Sequence, residues 1–206
     1  MSSVSVRLRK GELTRAAILD AALRLAGRAG IDALTIGVLA ELTHMSKSGV
    51  FAHFGSREEL QIAVVKAYHE RFQREVFDAA MRRPRGLARL QALLENWIEL
   101  ATREIEHGCL YMSGAFEYDD RPGPVRDALV DSVTAWRAAL VRACQQAVDC
   151  GQMRADTDAE QLVFELMGVM LALHHDARLL RRPQALAHAR RGVARLIAQC
   201  RTEPAA

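Results

Sequence analysis

The segment that decides the fold is residues 35–54, TIGVLAELTHMSKSGVFAHF. It contains two short stretches with helical character, about 36–42 and 47–53, separated by the turn Thr43-His44-Met45. Thr35 and Ser46 directly precede these stretches, and a hydroxyl side chain at that position accepts a hydrogen bond from a free backbone N–H at a helix start. The pattern therefore predicts two short helices joined by a tight turn.

Apolar and polar residues are segregated within this segment. Six apolar side chains are spaced so that they can lock the two helices together: Val38, Leu39, Leu42, Met45, Val50 and Phe54. The intervening positions of the second helix are small or polar and can face outward: Lys47, Ser48, Ala52 and His53. Two such helices behind a longer one form the helix-turn-helix, a unit that places one helix in the major groove of DNA.

Helical signals continue on both sides of the segment. Apolar residues at helical spacing from about Thr14 to Ala29 predict a longer first helix, which Gly30 ends. On the other side, Ser56-Arg57-Glu58-Glu59 is a capping box that opens a long fourth helix. The apolar stripe of that helix runs through Leu60, Val64, Tyr68, Phe72 and Val76.

The rest of the chain is also helical in pattern. Apolar periodicity predicts helices over about 87–106, 109–118, 125–147, 158–180 and 183–200. Ala, Leu and Arg dominate the composition, and no run of β-branched residues predicts a strand. We expect an all-α fold with a three-helix N-terminal domain, residues 1–56, and a larger helical bundle, residues 57–206.

Charge and cysteine content narrow the class of protein. The net charge of +3 is only mildly basic. Arg7, Arg9 and Lys10 form a basic start that is either an arm for phosphate contacts or a solvated tail. The four cysteines show no C-x-x-C or zinc spacing, and no signal peptide or membrane span is evident. These features predict a cytoplasmic protein with reduced, mostly buried thiols and without a metal.

Three blocks of the N-terminal region resemble the tetracycline-repressor (TetR) family. They are residues 35–40 (TIGVLA), residues 45–54 (MSKSGVFAHF) and residues 56–60 (SREEL). The resemblance is close over about residues 10–60 and rests mainly on helix number and length beyond them. It implies a homodimer with two DNA-reading heads and a C-terminal domain that receives a small molecule.

The resemblance and the helix starts together select the candidate DNA contacts. Lys47 is the candidate base reader, since a lysine near a helix start can reach a guanine edge or a phosphate. The hydroxyls of Thr35, Ser46 and Ser56 mark helix starts whose free N–H groups bind phosphate. The full expected set is Thr35, His44, Ser46, Lys47, Ser48, Phe51, Ala52, His53, Ser56 and Arg57.

Two positions depart from the family pattern. Phe51 stands where the family usually has tyrosine, so a phenolic contact is lost, and the ring either stacks on DNA or packs inside the domain. His44 replaces a common turn glycine; histidine tolerates the left-handed conformation, so the turn is expected to survive.

The C-terminal part shows no catalytic constellation and no phosphate-binding loop. We expect no enzyme activity and no cofactor other than an unknown small-molecule effector, apolar or amphipathic. Its candidate pocket residues, each of which could equally be ordinary core, are Trp97, Tyr111, Met112, Phe116, Trp136, Phe164, Met167, Met170 and His174.

The last two helices are the expected dimer contact. Residues 162–173 are apolar nearly all round, so this helix must be buried on more than one side. By analogy with the family, two such helices from each subunit would form the interface.

Two functional hypotheses follow. The first is a ligand-responsive repressor that a small molecule releases from a palindromic operator. The alternative is a helical small-molecule sensor or carrier whose head no longer reads DNA, which the loss of tyrosine at position 51 would allow.

Overall fold

The computed structural model describes residues 10–202, and within that range the expected all-α fold is confirmed. The helices are α1 (Lys10–Ala29), α2 (Ile36–Leu42), α3 (Lys47–Phe54), α4 (Arg57–Phe72), α5 (Ala79–Met81), α6 (Leu87–Glu104), α7 (Leu110–Tyr118), α8 (Pro124–Asp149), α9 (Ala159–His174) and α10 (Ala185–Cys200). Two π-helical segments, Gln73–Asp78 and His175–Leu179, join α4 to α5 and prolong α9. Arg7 and Arg9 of the predicted basic arm lie outside the described residues.

We call α1–α3 with their connecting turns the head, and α4–α10 the body. The head's core is built from side chains that the sequence pattern selected, among them Leu39, Val50 and Phe54. The prediction that six apolar residues lock α2 and α3 together was wrong for two of them, since Val38 and Leu42 are exposed. Both lie on the outer side of α2, where a single short helix has only one face to give to the core.

The body is a bundle whose interior contains a cluster of aromatic rings. Phe72 of α4 lies edge-on to Trp136 of α8, with ring centroids 4.9 Å apart. Trp97 of α6 contacts the same Trp136 ring at 5.3 Å, and Tyr111 of α7 contacts Phe72 at 5.3 Å. Edge-to-face rings at these separations stabilise the core beyond their buried area.

The head and the body meet where two glycines touch. Gly27 of α1 lies directly against the α6–α7 loop at Gly108, and a Cβ atom on Gly108 would overlap the Gly27 carbonyl oxygen. Gly108 also has φ of +88°, in the left-handed region. Only glycine satisfies both conditions at this contact.

Among residues 10–202, no helix is both long and apolar enough to cross a membrane.

Candidate nucleic-acid interface

Three hydroxyl side chains cap the helices that surround the candidate interface. Thr35 Oγ1 accepts a hydrogen bond from Val38 N at 3.1 Å, and Ser46 Oγ accepts one from Gly49 N at 3.0 Å. Ser56 Oγ accepts from Glu59 N at 3.0 Å at the start of α4. The three predicted caps are confirmed, and each leaves further free N–H groups at its helix start.

The turn between α2 and α3 tolerates its histidine. His44 has φ of +55°, the conformation that the usual glycine would adopt. The backbone closes with Met45 N donating to Ala40 O at 2.9 Å. His44 is exposed, so its imidazole is free to approach a partner.

The outer face of α3 carries most of the expected contacts. Ser46, Lys47, Ser48 and Ala52 are exposed there. Phe51 is 54% exposed, so it is not part of the head's core. His53 is half-buried beside Phe54, with ring centroids 6.4 Å apart. An exposed aromatic ring between short polar side chains suits contact with base edges or a thymine methyl group.

The Lys47 side chain extends back toward the start of α2. A Cβ atom on Gly37 would lie 3.8 Å from Lys47 Nζ and 3.9 Å from Thr35 Oγ1. The ammonium, the hydroxyl and the N-terminal end of α2 therefore converge on one point. A positive charge at a helix N-terminus is an arrangement that binds phosphate.

Arg57 is exposed, and its guanidinium is hydrogen-bonded within the protein. Its Nε donates to Leu34 O at 3.1 Å, and its Nη2 donates to Asp32 Oδ1 at 2.7 Å and to the Asp32 carbonyl. These bonds join the start of α4 to the α1–α2 turn. The sequence missed this role because Asp32 lies 25 residues away and no local pattern links the two.

The candidate effector residues separate into two groups. The first group is buried and consists of Trp97, Tyr111, Met112, Trp136 and Met170. Of these, Trp97, Tyr111 and Trp136 belong to the aromatic cluster. Burial raises the pKa of the Tyr111 hydroxyl, whose oxygen lies 2.6 Å from His69 Nδ1. The Trp136 indole N–H is buried and has no hydrogen-bond partner among the described residues.

The sequence suggested that Phe116 and Phe164 line a pocket, but neither side chain lies in the interior of the body. They are 71% and 65% exposed. Phe116 lies five residues beyond Tyr111 on α7, which turns it about 140° away from the core. Phe116 and the half-buried His174 line an open surface groove of about 650 Å³. Burial and the neighbouring Arg178 lower the pKa of His174. Met167 is half-buried.

A smaller cavity, of about 270 Å³, lies between α7 and α8. Its wall is mostly apolar, with Leu129 and Val133 of α8 facing Tyr111 and Tyr118 of α7, and Arg126 contributes to the lining. Tyr111 is the one candidate residue that belongs to this wall, and it also contacts the aromatic cluster.

Comparisons with known proteins agree with this architecture. The family model for bacterial regulatory proteins of the tetR family matches residues 18–64, and that for the tetracyclin repressor-like C-terminal domain matches residues 86–193. The DNA-binding transcriptional repressor TetR of Mycobacteroides abscessus is 32% identical over 166 residues, covering 79% of this chain and 82% of the relative.

Solved structures share the fold. A TetR transcriptional regulator from Chloroflexus aurantiacus superposes with a TM-score of 0.84 at 26% identity, covering 95% of this chain and all of the other. AibR, solved with isovaleryl coenzyme A and operator DNA, has a TM-score of 0.71 at 22% identity, covering 89% and 98%. The family models span both the head and most of the body, and this chain belongs to the TetR family of DNA-binding transcriptional regulators.

Proposed function

We propose that this regulator is a homodimeric repressor that holds a palindromic operator until a small apolar or amphipathic molecule binds in the body. The observation that carries the proposal is the outer face of α3, which exposes Lys47, Ser48 and Phe51 between the capped starts of α3 and α4 in the chain. Repression rests on the named function of the M. abscessus relative.

Selection of genomic fragments on the purified protein at low salt tests whether the protein binds a palindromic operator. We expect an inverted repeat whose half-sites are centred one helical turn or a multiple of it apart, about 34–36 Å per turn. Affinity should fall steeply as salt rises, because phosphate contacts release counterions. Recovery of fragments without any shared inverted repeat would contradict the proposal, and a salt-independent interaction would favour a carrier.

The contacts of Arg57 lead to a prediction that separates a positioning role from a phosphate contact. We expect Arg57→Ala to leave the slope of log affinity against log salt unchanged, because the guanidinium is occupied by Asp32 and Leu34. A lost phosphate contact would instead lower the slope by about 0.9. Titration of the operator at four salt concentrations distinguishes these outcomes.

The buried N–H of Trp136 supports an effector that carries a hydrogen-bond acceptor. A buried donor without a partner is costly, and a ligand acceptor would satisfy it. Trp136 does not itself line the α7–α8 cavity: Tyr111 of the cavity wall contacts Phe72, and Phe72 contacts Trp136. The proposal therefore requires the acceptor group of the ligand to pass Tyr111 into the aromatic cluster.

This leads to a prediction with a matched pair of small probes, acetophenone and ethylbenzene. We expect acetophenone to bind more tightly by about 0.5–1.5 kcal/mol, the net value of one hydrogen bond. The difference should disappear in Trp136→Phe and persist in Trp97→Phe. Isothermal titration measures all six affinities, and a preference that survives in Trp136→Phe would rule out the indole as the donor.

Dimerisation through α9 and α10 is supported by apolar side chains that α9 exposes. Phe164 and Leu171 are exposed on one side of α9, with Gly168 between them. A Cβ on Gly168 would meet nothing within 4 Å, so a second helix has room to approach there. Sedimentation is expected to give a dimer at micromolar concentration, and a stable monomer would count against this interface.

A further inference from the structure

Helix α7 lies between the cavity and the head and contacts both. Tyr111, Gly114 and Tyr118 line the cavity that α7 shares with α8. Gly114 and Glu117 also face the turn 30–32 of the head, between α1 and α2. Any shift of α7 therefore alters its contacts with both the cavity and the head.

Glu117 makes the closest of these contacts. Its Oε2 accepts a hydrogen bond from Ile31 N at 2.7 Å, and its Oε1 accepts one from Asp32 N at 2.6 Å. A Cβ atom on Gly30 would lie 2.8 Å from the same carboxylate. Glycine at position 30 thus lets the carboxylate reach two consecutive backbone N–H groups, and bonds to an ionised acceptor are stronger than neutral ones.

Three other contacts fix the same turn to the body. A Cβ atom on Gly114 would lie 3.0 Å from Ile31 Cδ1, so the helix backbone is packed closely against this side chain. Asp32 lies 3.6 Å from Arg121, just beyond α7, and 2.7 Å from Arg57 at the start of α4. The turn is therefore held by α7 on one side and by α4 on the other.

The cavity and the turn share one residue, Gly114, which lines the cavity and packs on Ile31. A molecule that enters the cavity must displace α7 relative to α8 or fit the space between them. The two hydrogen bonds of Glu117 are short and directional, so the turn follows α7 or the bonds break. Either outcome changes how the head is held.

We propose that Glu117 is the positioning residue through which occupancy of the α7–α8 cavity sets the orientation of the DNA-binding head. This inference rests on the proposed function and adds the contact that transmits the signal. It requires that an occupant favour one arrangement of α7 over another, since a ligand shifts an equilibrium only by its differential affinity.

The first test measures the contact in the full chain without DNA or ligand. Hydrogen exchange of the Ile31 and Asp32 amides is compared in the parent, Glu117→Ala, Glu117→Gln and the control Glu99→Gln, which alters an exposed acid on α6. We expect at least tenfold faster exchange of both amides in Glu117→Ala, an intermediate effect in Glu117→Gln and none in the control. Unchanged exchange in Glu117→Ala would overturn the proposal.

The second test uses a cavity-filling side chain in place of an occupant. Val133 lines the cavity from α8, and Val133→Trp is combined with Glu117→Ala in a double-mutant cycle, with Val133→Met as the milder substitute. In the parent we expect Val133→Trp to change Ile31 and Asp32 exchange at least fivefold and to weaken operator binding about tenfold. In Glu117→Ala the added effect on operator binding should vanish.

Additive effects of the two substitutions would overturn the proposal. The hydrogen-exchange measurements test the role of Glu117 without an operator. Failure to recover a palindromic site would therefore count against the proposed function and not against this coupling.

Discussion

Replacing Gly108 by alanine is expected to lower the free energy of unfolding by about 3 kcal/mol or more. An alanine Cβ at this position would overlap the Gly27 carbonyl oxygen, and backbone atoms cannot move aside as a flexible side chain can. The left-handed φ of +88° adds a cost of about 1–2 kcal/mol for any residue with a Cβ. Urea denaturation followed by circular dichroism measures the loss.

Gly151→Ala is the matched control. Gly151 also has a left-handed φ, +68°, yet a Cβ there would meet nothing within 4 Å. It should therefore show only the backbone cost, about 1–2 kcal/mol. Equal losses in the two variants would mean that the Gly27–Gly108 contact relaxes readily and does not fix the head on the body.

The second large effect is expected at Lys47. Lys47→Ala should weaken binding to the recovered operator by about 1–3 kcal/mol and relax the base preference at one position of each half-site, if the ammonium reaches a guanine. If it instead contacts a phosphate, binding should weaken uniformly across sequences and the salt slope should fall by about 0.9. Competition with single-base operator variants separates these outcomes.

Lys66→Ala serves as the matched control, because Lys66 is an exposed lysine of α4 that lies outside the helix-turn-helix. We expect it to change operator affinity little. A Lys47→Ala variant that binds as tightly as the parent would remove Lys47 from the interface.

Local patterns predicted the local structure well. Thr35, Ser46 and Ser56 cap helices within three residues of themselves, so the information that fixes them is contiguous in the sequence. The same is true of His44, whose turn closes within five residues. The all-α fold followed from periodicity for the same reason.

What the sequence did not predict depends on distant partners. Arg57 remains an expected DNA contact, but its bonds to Asp32 could not be predicted, because Asp32 becomes its neighbour only when the α1–α2 turn folds back. The role of Glu117 could not be predicted because its hydrogen-bond donors lie 85 and 86 residues away in the sequence. Leu42 and Phe116 are apolar in pattern yet exposed, since periodicity cannot distinguish a face covered by the chain's own core from one left open.

The contact between head and body also bears on the construction of chimeric regulators. A head grafted onto another body would bring Gly27, Ile31 and Asp32 with it, but not the Gly108 and Glu117 that they meet here. We expect such a hybrid to retain its operator preference and to lose the proposed coupling between the α7–α8 cavity and the head. Transplanting residues 107–121 together with the head would keep the contacts of Gly108 and Glu117, but the α4 side of the joint also needs Arg57 and Gln61, which bond to the α1–α2 turn.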